Sequence, residues 1–485
     1  MKIYFSDFFE VPQATIESYG AFNVSLINDL PVFIDPFLLF NSQKAEYNQL
    51  HEEMIRYLRF LRDMSQDGAI SRGLVKHWFL FPEVKQNWLG YSKIGNGGAG
   101  LGKDFATALN ESLSTIFRDF GSEKVTKGSH LEKLCLVKGK VGRDNISDFT
   151  TNLIKRFLCN FTENFAKQHL RADQVKRVSV PHASFDYQSR RWAAQHFVLP
   201  FIDGDYVLLT PKDILTKDET WINRHDLVGD FEDIVAAISN EELRAQISDF
   251  FLRQLTPESR AKEIDEAAVA TLKKYPEVIE YYIKLKEDQG DKAVALSKEK
   301  VGEVESTFIA NVKQLVSMLQ TQGFYSSSGD TLQAAYDRLI FLKQVIENND
   351  GYRFFYVKGQ PVKREQDLQL IYRLTWYAAV EDVNSEVNNG RGPVDYKISR
   401  GSADKTLVEF KLASNSKLRQ NLENQVAVYE AANQTWKSIK VILYFSEQEH
   451  LRVRRIMRDL NLKEGIGLVL IDASREGKDS ASNVV

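Results

Sequence analysis

The segment Thr406-Leu407-Val408-Glu409-Phe410-Lys411 carries charge and bulk in alternation. Side chains of a strand point to opposite sides in turn, so Glu409 and Lys411 share one side, while Val408 and Phe410 share the other and can enter a core. A carboxylate is thereby set beside an ammonium. Asp395 closes the run Gly390-Arg391-Gly392-Pro393-Val394-Asp395 and stands at the start of the preceding strand. The turn-forming residues Arg400-Gly401-Ser402-Ala403-Asp404 would fold the two strands into a hairpin, so that Asp395 and Glu409 could converge. Two carboxylates brought close repel unless a divalent cation neutralises them, and all-oxygen ligation with retained waters suits Mg²⁺ or Mn²⁺. Such a cation lowers the pKa of a bound water and stabilises charge on a phosphate in flight. Lys411 can then position or polarise the nucleophile.

The elements needed to hold these residues are legible on both sides of them. Leu368, Leu370, Ile371, Leu374, Trp376 and Tyr377 recur at helical spacing. Strands are expected at Glu386–Asn388, Val394–Ile398 and Thr406–Leu412, then a helix over Leu418–Ala432 and a buried strand at Ile439–Phe445. A basic helix over Gln448–Leu460 and a last strand at Gly467–Ile471 complete the order αβββαβαβ. With Asp395, Glu409-Phe410-Lys411 and this order together, the region Gly351–Asp472, about a quarter of the chain, resembles the PD-(D/E)XK nuclease superfamily. Val394-Asp395 replaces its usual Pro-Asp. Gln425-Val426-Ala427-Val428-Tyr429 matches the Q-x-x-x-Y helix of RecB-like members, and i, i+4 spacing puts Gln425 and Tyr429 on one face.

The resemblance implies a restriction-endonuclease-like αβββαβ core that hydrolyses DNA with Mg²⁺. Asp395 and Glu409 would hold the metal, helped by Glu365 from the helix before the core, with Asp367 and Glu386 as rivals for that place. Lys411 would be catalytic, and Gln425, Tyr429 and Arg391 would support the site or touch substrate. Joined to other domains, such a nuclease resembles bacterial restriction and anti-phage effectors, acting alone, as a homo-oligomer or with a defence partner protein.

The plainer alternatives remain open at this stage. Glu409 and Lys411 could form a surface ion pair and Asp395 a turn, giving a module that binds nucleic acid or protein without cutting. Arg391 could contact phosphate or be a hairpin charge. Arg452, Arg454, Arg455 and Arg458 read by default as a solvated helix face, and otherwise as contacts to a nucleic-acid backbone.

The remaining three quarters of the 485 residues give context. At this length two to four domains are expected, and 43 % hydrophobic with 27 % charged residues is a globular profile. The architecture reads as α/β multidomain: a mixed α/β recognition or regulatory domain over 1–228, a helical region over 229–350, and the nuclease-like domain over 351–485. In the first, Leu30–Phe40 suggests a short strand and turn, Tyr47–Arg62 a helix, and Phe197–Ile202 with Tyr206–Thr210 a hairpin about Asp203-Gly204-Asp205. In the second, Glu232–Leu255 and Val301–Gln320 read as helices and Lys284–Lys300 as a solvated helical face.

Net charge is −3 overall, but 351–485 holds 21 basic against 17 acidic residues, a balance of +4 that leaves −7 for the rest. That points a polyanion toward the C-terminal part. No apolar run approaches the ~20 residues of a membrane helix, and the start lacks a signal-peptide pattern, so a cytoplasmic protein is expected. Cys135 and Cys159 read as core fillers, and the eight histidines show no zinc spacing. Gly95, Gly97, Gly100 and Gly102-Lys103 approach two nucleotide-binding patterns, but Asp104 stands where a phosphate loop needs a hydroxyl. A flexible loop leading into a helix over Phe105–Phe117 is the expectation there.

Overall fold

A computed structural model describes residues 2–66, 72–90, 102–113, 117, 120–137, 141–217, 219–256, 261–321, 330–348, 351–357, 360–362, 365–374, 376, 382–385, 395–400, 404–423 and 437–475. The chain is mixed α/β, with several small sheets among many helices. No helix among the described residues is long and apolar enough to cross a membrane.

Helix α1 (Ala45–Gln66) forms where apolar spacing predicts it. Around it the first 220 residues depart from expectation in two places. Leu30–Phe40 is a two-residue strand, Phe33–Ile34, paired antiparallel with Leu215–Thr216, followed at once by the helix Pro36–Phe40. The cause is local: the Asp35 carboxylate accepts the Phe37 N–H at 3.0 Å, and Pro36 takes the first helical position, where its missing N–H costs nothing. The second departure is the hairpin. Its long arms are β1 (Val175–Asp186) and β2 (Arg191–Ile202), whereas β2 pairs with the expected partner segment only at Phe201–Tyr206 and Ile202–Asp205. Strand β1 hides in the sequence because Pro181 interrupts it. A bulge between Val180 and Ser184 absorbs the proline, with His182 at φ +52°.

The helices expected between 229 and 350 are present, Glu232–Leu255 as two, Phe231–Ala236 and Glu241–Leu252. Lys284–Lys300 is helical but is not wholly the solvated face expected: Lys286 and Glu287 are buried, paired with Asp226 and His130, and Gly290, Ala293 and Ser297 also face inward. Both cysteines are buried and free.

The C-terminal unit begins earlier than the change in composition suggests. Helix α2 (Thr331–Asn348) lies across one face of a five-stranded sheet, and α3 (Glu365–Leu374) packs beside it. The sheet comprises β3 (Asp382–Ser385), β4 (Tyr396–Arg400), β5 (Asp404–Leu412), β6 (Lys437–Tyr444) and, after helix α4 (Glu447–Asp459), β7 (Leu468–Asp472). Spatial order is β7-β6-β5-β4-β3; the β3–β4 and β4–β5 pairs are antiparallel, and the β5–β6 and β6–β7 pairs parallel. With helical residues 418–423 between β5 and β6, the αβββαβαβ order is present. A strand is present at 382–385; the one expected at 386–388 falls, with the rest of 386–394 and with 424–436, outside the described residues.

Each face of this sheet has its own core. Leu339, Leu342 and Val345 of α2 meet Val408, Phe410, Val441 and Val469 on one side. On the other, Ile442, Leu468 and Leu470 meet Leu418, Leu422, Val453 and Met457. The first core continues without a break into Val301–Val316 and the N-terminal residues Ile3–Val32. Packing therefore runs across the boundaries at 228 and 350, and α2 joins the sheet through its apolar stripe.

The Asp404 carboxylate accepts the Thr331 N–H and Oγ1, both at 2.8 Å, which ties the N-terminus of α2 to the start of β5 and suits the helix dipole. At the other end a Cβ on Gly351 would lie 2.6 Å from the Val345 carbonyl oxygen. Backbone must move to admit it, so Gly351→Ala is expected to cost about 1–3 kcal/mol, read as a lower melting temperature.

Candidate active site on the C-terminal sheet

Strand β5 divides its side chains as the alternation predicts: Val408 and Phe410 are buried in the core beneath, and Glu409 and Lys411 stand on the opposite face. The β4–β5 register runs from Asp404 opposite Arg400 to Val408 opposite Tyr396, which brings Asp395 next to Glu409. Asp395 is tied there by its Oδ2, which accepts the Phe410 N–H at 2.5 Å.

Lys411 is the hub. Its Nζ lies 3.2 Å from Glu365 Oε2 and 3.3 Å from Glu409 Oε1, with only 9 % of the residue exposed. Glu365 reaches it from the first position of α3, and its Oε1 also accepts the Leu412 N–H at 3.3 Å and Asn415 Nδ2 at 2.6 Å. Glu409 is held from its other side by Lys440, its direct partner in β6, at 3.0 Å. Lys440 Nζ also donates to the Asn421 carbonyl at 2.9 Å. Arg452 of α4 donates to the Ala413 and Asn415 carbonyls at 2.7 and 2.9 Å, fixing the loop that carries Asn415.

Three carboxylates thus face two lysines. Burial pushes the Asp395 carboxyl up, Lys411 and the Phe410 N–H pull it down, and Glu409 and Glu365 push it up again; it comes to rest at about 6. Burial pulls the Lys411 ammonium down, but Asp395, Glu409 and Glu365 outweigh that and hold it above the usual lysine value. The lysine is therefore a fixed cation near neutrality, and Asp395 is the group that titrates.

Four of the residues singled out in the sequence, Glu365, Asp395, Glu409 and Lys411, are brought together. Arg391, Gln425, Tyr429 and Glu386 lie outside the described residues, as does the side chain of Asp367. So do residues 91–101 of the glycine-rich loop, beyond which Gly102 stands at the N-cap of the helix Lys103–Ser112. Sequence reading missed Lys440, Asn415 and Arg452 as members of the cluster. Lys440 left a signal, since a lone lysine in the apolar run Ile439–Leu443 needs a buried partner. Of the basic helix, Arg452 serves the loop carbonyls and Arg454 pairs with Glu464 at 2.9 Å.

Among the described residues no three His, Cys, Asp or Glu side chains are grouped so as to hold a metal ion. The oxygens here are hard donors of the kind Mg²⁺ and Mn²⁺ take, but Glu365 is engaged by Lys411, Leu412 and Asn415. Glu409 is held too, by Lys411 and Lys440, and Asp395 accepts the Phe410 N–H, so a cation would have to share these two carboxylates with their present partners; Mg²⁺ often binds through one or two carboxylates plus waters and substrate phosphates.

Two family models match the chain, both described only as domains of unknown function: DUF8370 over residues 10–223 and DUF8371 over residues 331–447. The second starts at the first residue of α2 and includes Glu365, Asp395, Glu409 and Lys411. No curated protein and no solved structure matches the chain.

Proposed function

We propose that the C-terminal unit is a Mg²⁺-dependent nuclease of the PD-(D/E)XK plan that hydrolyses phosphodiester bonds of DNA. The observation that carries this reading is the convergence of Glu365, Asp395 and Glu409, from three separate elements, on the buried ammonium of Lys411. Burying that many charges for stability alone is a poor bargain, whereas clustered, mutually perturbed ionisable groups are what catalytic sites use.

Asp395 and Glu409 would hold the metal, which when bound supplies neutralising charge for the phosphate in flight. Lys411, kept protonated by its neighbours, orients the attacking water and offsets charge developing on the phosphate. Glu365 and Asn415 fix where that ammonium points, and Lys440 sets the rotamer of Glu409 from the other side. The N-terminal and helical regions, packed on the same core as α2, would recognise the trigger in a bacterial restriction or anti-phage effector working in the cytoplasm. One observation favours a second reading: Glu409 is bracketed by Lys411 and Lys440, as in an ion-pair ladder of a module that binds without cutting.

Purified full-length protein incubated with supercoiled plasmid separates the two. The nuclease reading expects nicked and linear DNA with Mg²⁺ or Mn²⁺ and intact plasmid with chelator. Retarded but uncut plasmid in both metals, across pH 6–9, would establish the binding module instead.

A further inference from the structure

Far from that cluster in sequence, a cavity of about 330 Å³ opens between α1 and the tip of the β1–β2 hairpin. Helical spacing sets Arg56, Arg59, Phe60 and Asp63 on one face of α1, and Tyr187 and Arg190 of the tip face them. Three guanidiniums thus meet one carboxylate, and that carboxylate is already taken. Asp63 lies 2.9 Å from Arg62, whose NH1 also donates to the Phe120 carbonyl.

Of the three arginines, Arg56 and Arg190 are exposed and Arg59 is half-buried. Arg56 lies flat on the Tyr187 ring, 4.1 Å from its centroid, a stacking that leaves its N–H edge for another partner. The Arg59 Nε is buried without a hydrogen-bond partner. Its guanidinium is packed against Gly121, at φ +86°, where a Cβ would stand 2.5 Å from Cζ. No carboxylate among the described residues pairs with Arg56, Arg59 or Arg190. A desolvated donor on a cation is costly, and the cost is recovered when an anion fills the cavity.

The opposite wall is preformed. Asp186 accepts the Gln188 N–H and the Ser189 hydroxyl at 2.9 and 2.7 Å, and Trp78 Nε1 donates to the Arg190 carbonyl at 3.1 Å, which pins the hairpin tip to the body.

We infer that this cavity binds a nucleoside phosphate. Planar guanidinium forks match phosphate oxygens in pairs, and Phe60, half-buried in the cavity wall, offers an apolar surface for the base. The volume lies at the small end of ligand pockets, which suits one nucleotide rather than a duplex. The site rests on side chains that the C-terminal cluster does not use, and stands whether or not that cluster cuts DNA.

The probes are ATP, GTP, CTP, UTP, inorganic phosphate and a single-stranded DNA 12-mer, titrated against the full-length protein by calorimetry. At least one nucleotide is expected to bind at one site per chain, more tightly than phosphate alone. Arg190→Gln, at the exposed hairpin tip, and Arg59→Gln should each weaken it by about tenfold or more, as loss of a charge-assisted pair does. Lys103→Ala, at the glycine-rich loop, should leave it unchanged. Arg190→Gln keeps the test decisive should Arg59→Gln fail to fold. The proposal is overturned if no nucleotide binds, if Lys103→Ala alone abolishes binding, or if only the oligonucleotide binds.

Discussion

Lys411→Met is expected to reduce Mg²⁺-dependent cleavage by roughly 10²–10³-fold, the loss that follows removal of one preorganised charge-stabilising donor. Methionine keeps the unbranched stem that passes the buried sheet face, so the substitution subtracts the ammonium and little else. What it leaves is a set of three carboxylates with Lys440 as the nearby cation, on Glu409 alone. Asp395 then loses the largest influence that lowers its pKa, so residual activity should rise at a higher pH than in the wild type. Lys411→Arg tests position apart from charge. Its planar fork restores the cation but cannot put one point donor 3.2 Å from Glu365 and 3.3 Å from Glu409 at the same time, so stability should return without activity. Nicking rates against pH, with melting curves of the three proteins, check both halves. A Lys411→Met variant that cuts at the wild-type rate would sink the assignment of the lysine.

The parts of the site that were legible in the sequence are those set by the two-residue period of a strand. Glu409 and Lys411 had to share a face, and a hairpin with its turn at 400–404 had to return Asp395 beside them; both follow from backbone geometry. Glu365 comes only from the resemblance, which puts an acidic residue on the helix ahead of the sheet, and the structure sets it on Lys411. Its further bonds to Leu412 and Asn415 were beyond reach, because they depend on where α3 docks against the end of β5. Lys440 enters through parallel pairing across a long crossover, a distance over which no local pattern speaks.

The fold divides in the same way. Helix α1 and the apolar strands β6 and β7 follow from periodicity. Pro181 concealed β1, since a proline inside a strand argues against one until a bulge is known to receive it. The composition change near 351 marked a boundary that packing ignores: α2 is helical by propensity, like the region before it, yet its stripe of Leu339, Leu342 and Val345 belongs to the sheet. Propensity reports the kind of element; only complementary apolar area decides its neighbour.

Asp395→Asn is expected to abolish cleavage and stabilise the protein in the same step. The folded-state carboxyl titrates at about 6 against an ordinary 3.8, so the folded chain holds this proton more tightly than the unfolded one. Stability from this group is present in full below pH ~4, falls as pH climbs from there through about 6, and stays at the lower level above. Asparagine cannot ionise, and its Oδ1 can still accept the Phe410 N–H that the aspartate accepts at 2.5 Å. The variant should match the wild type near pH 4 and exceed it above pH 7 by about 3 kcal/mol, the equivalent of a shift of this size. Divalent cation separates this from a merely structural gain. Mg²⁺ binding only the folded state raises the wild-type melting temperature by mass action, and Asp395→Asn should lose that increment because one of two carboxylate ligands is gone. Melting curves at pH 4, 6 and 8, each with Mg²⁺ and with chelator, give the full comparison. A variant less stable than wild type at pH 8, or one whose melting temperature still rises with Mg²⁺ as the wild type's does, would mean that Asp395 serves the hairpin rather than a metal.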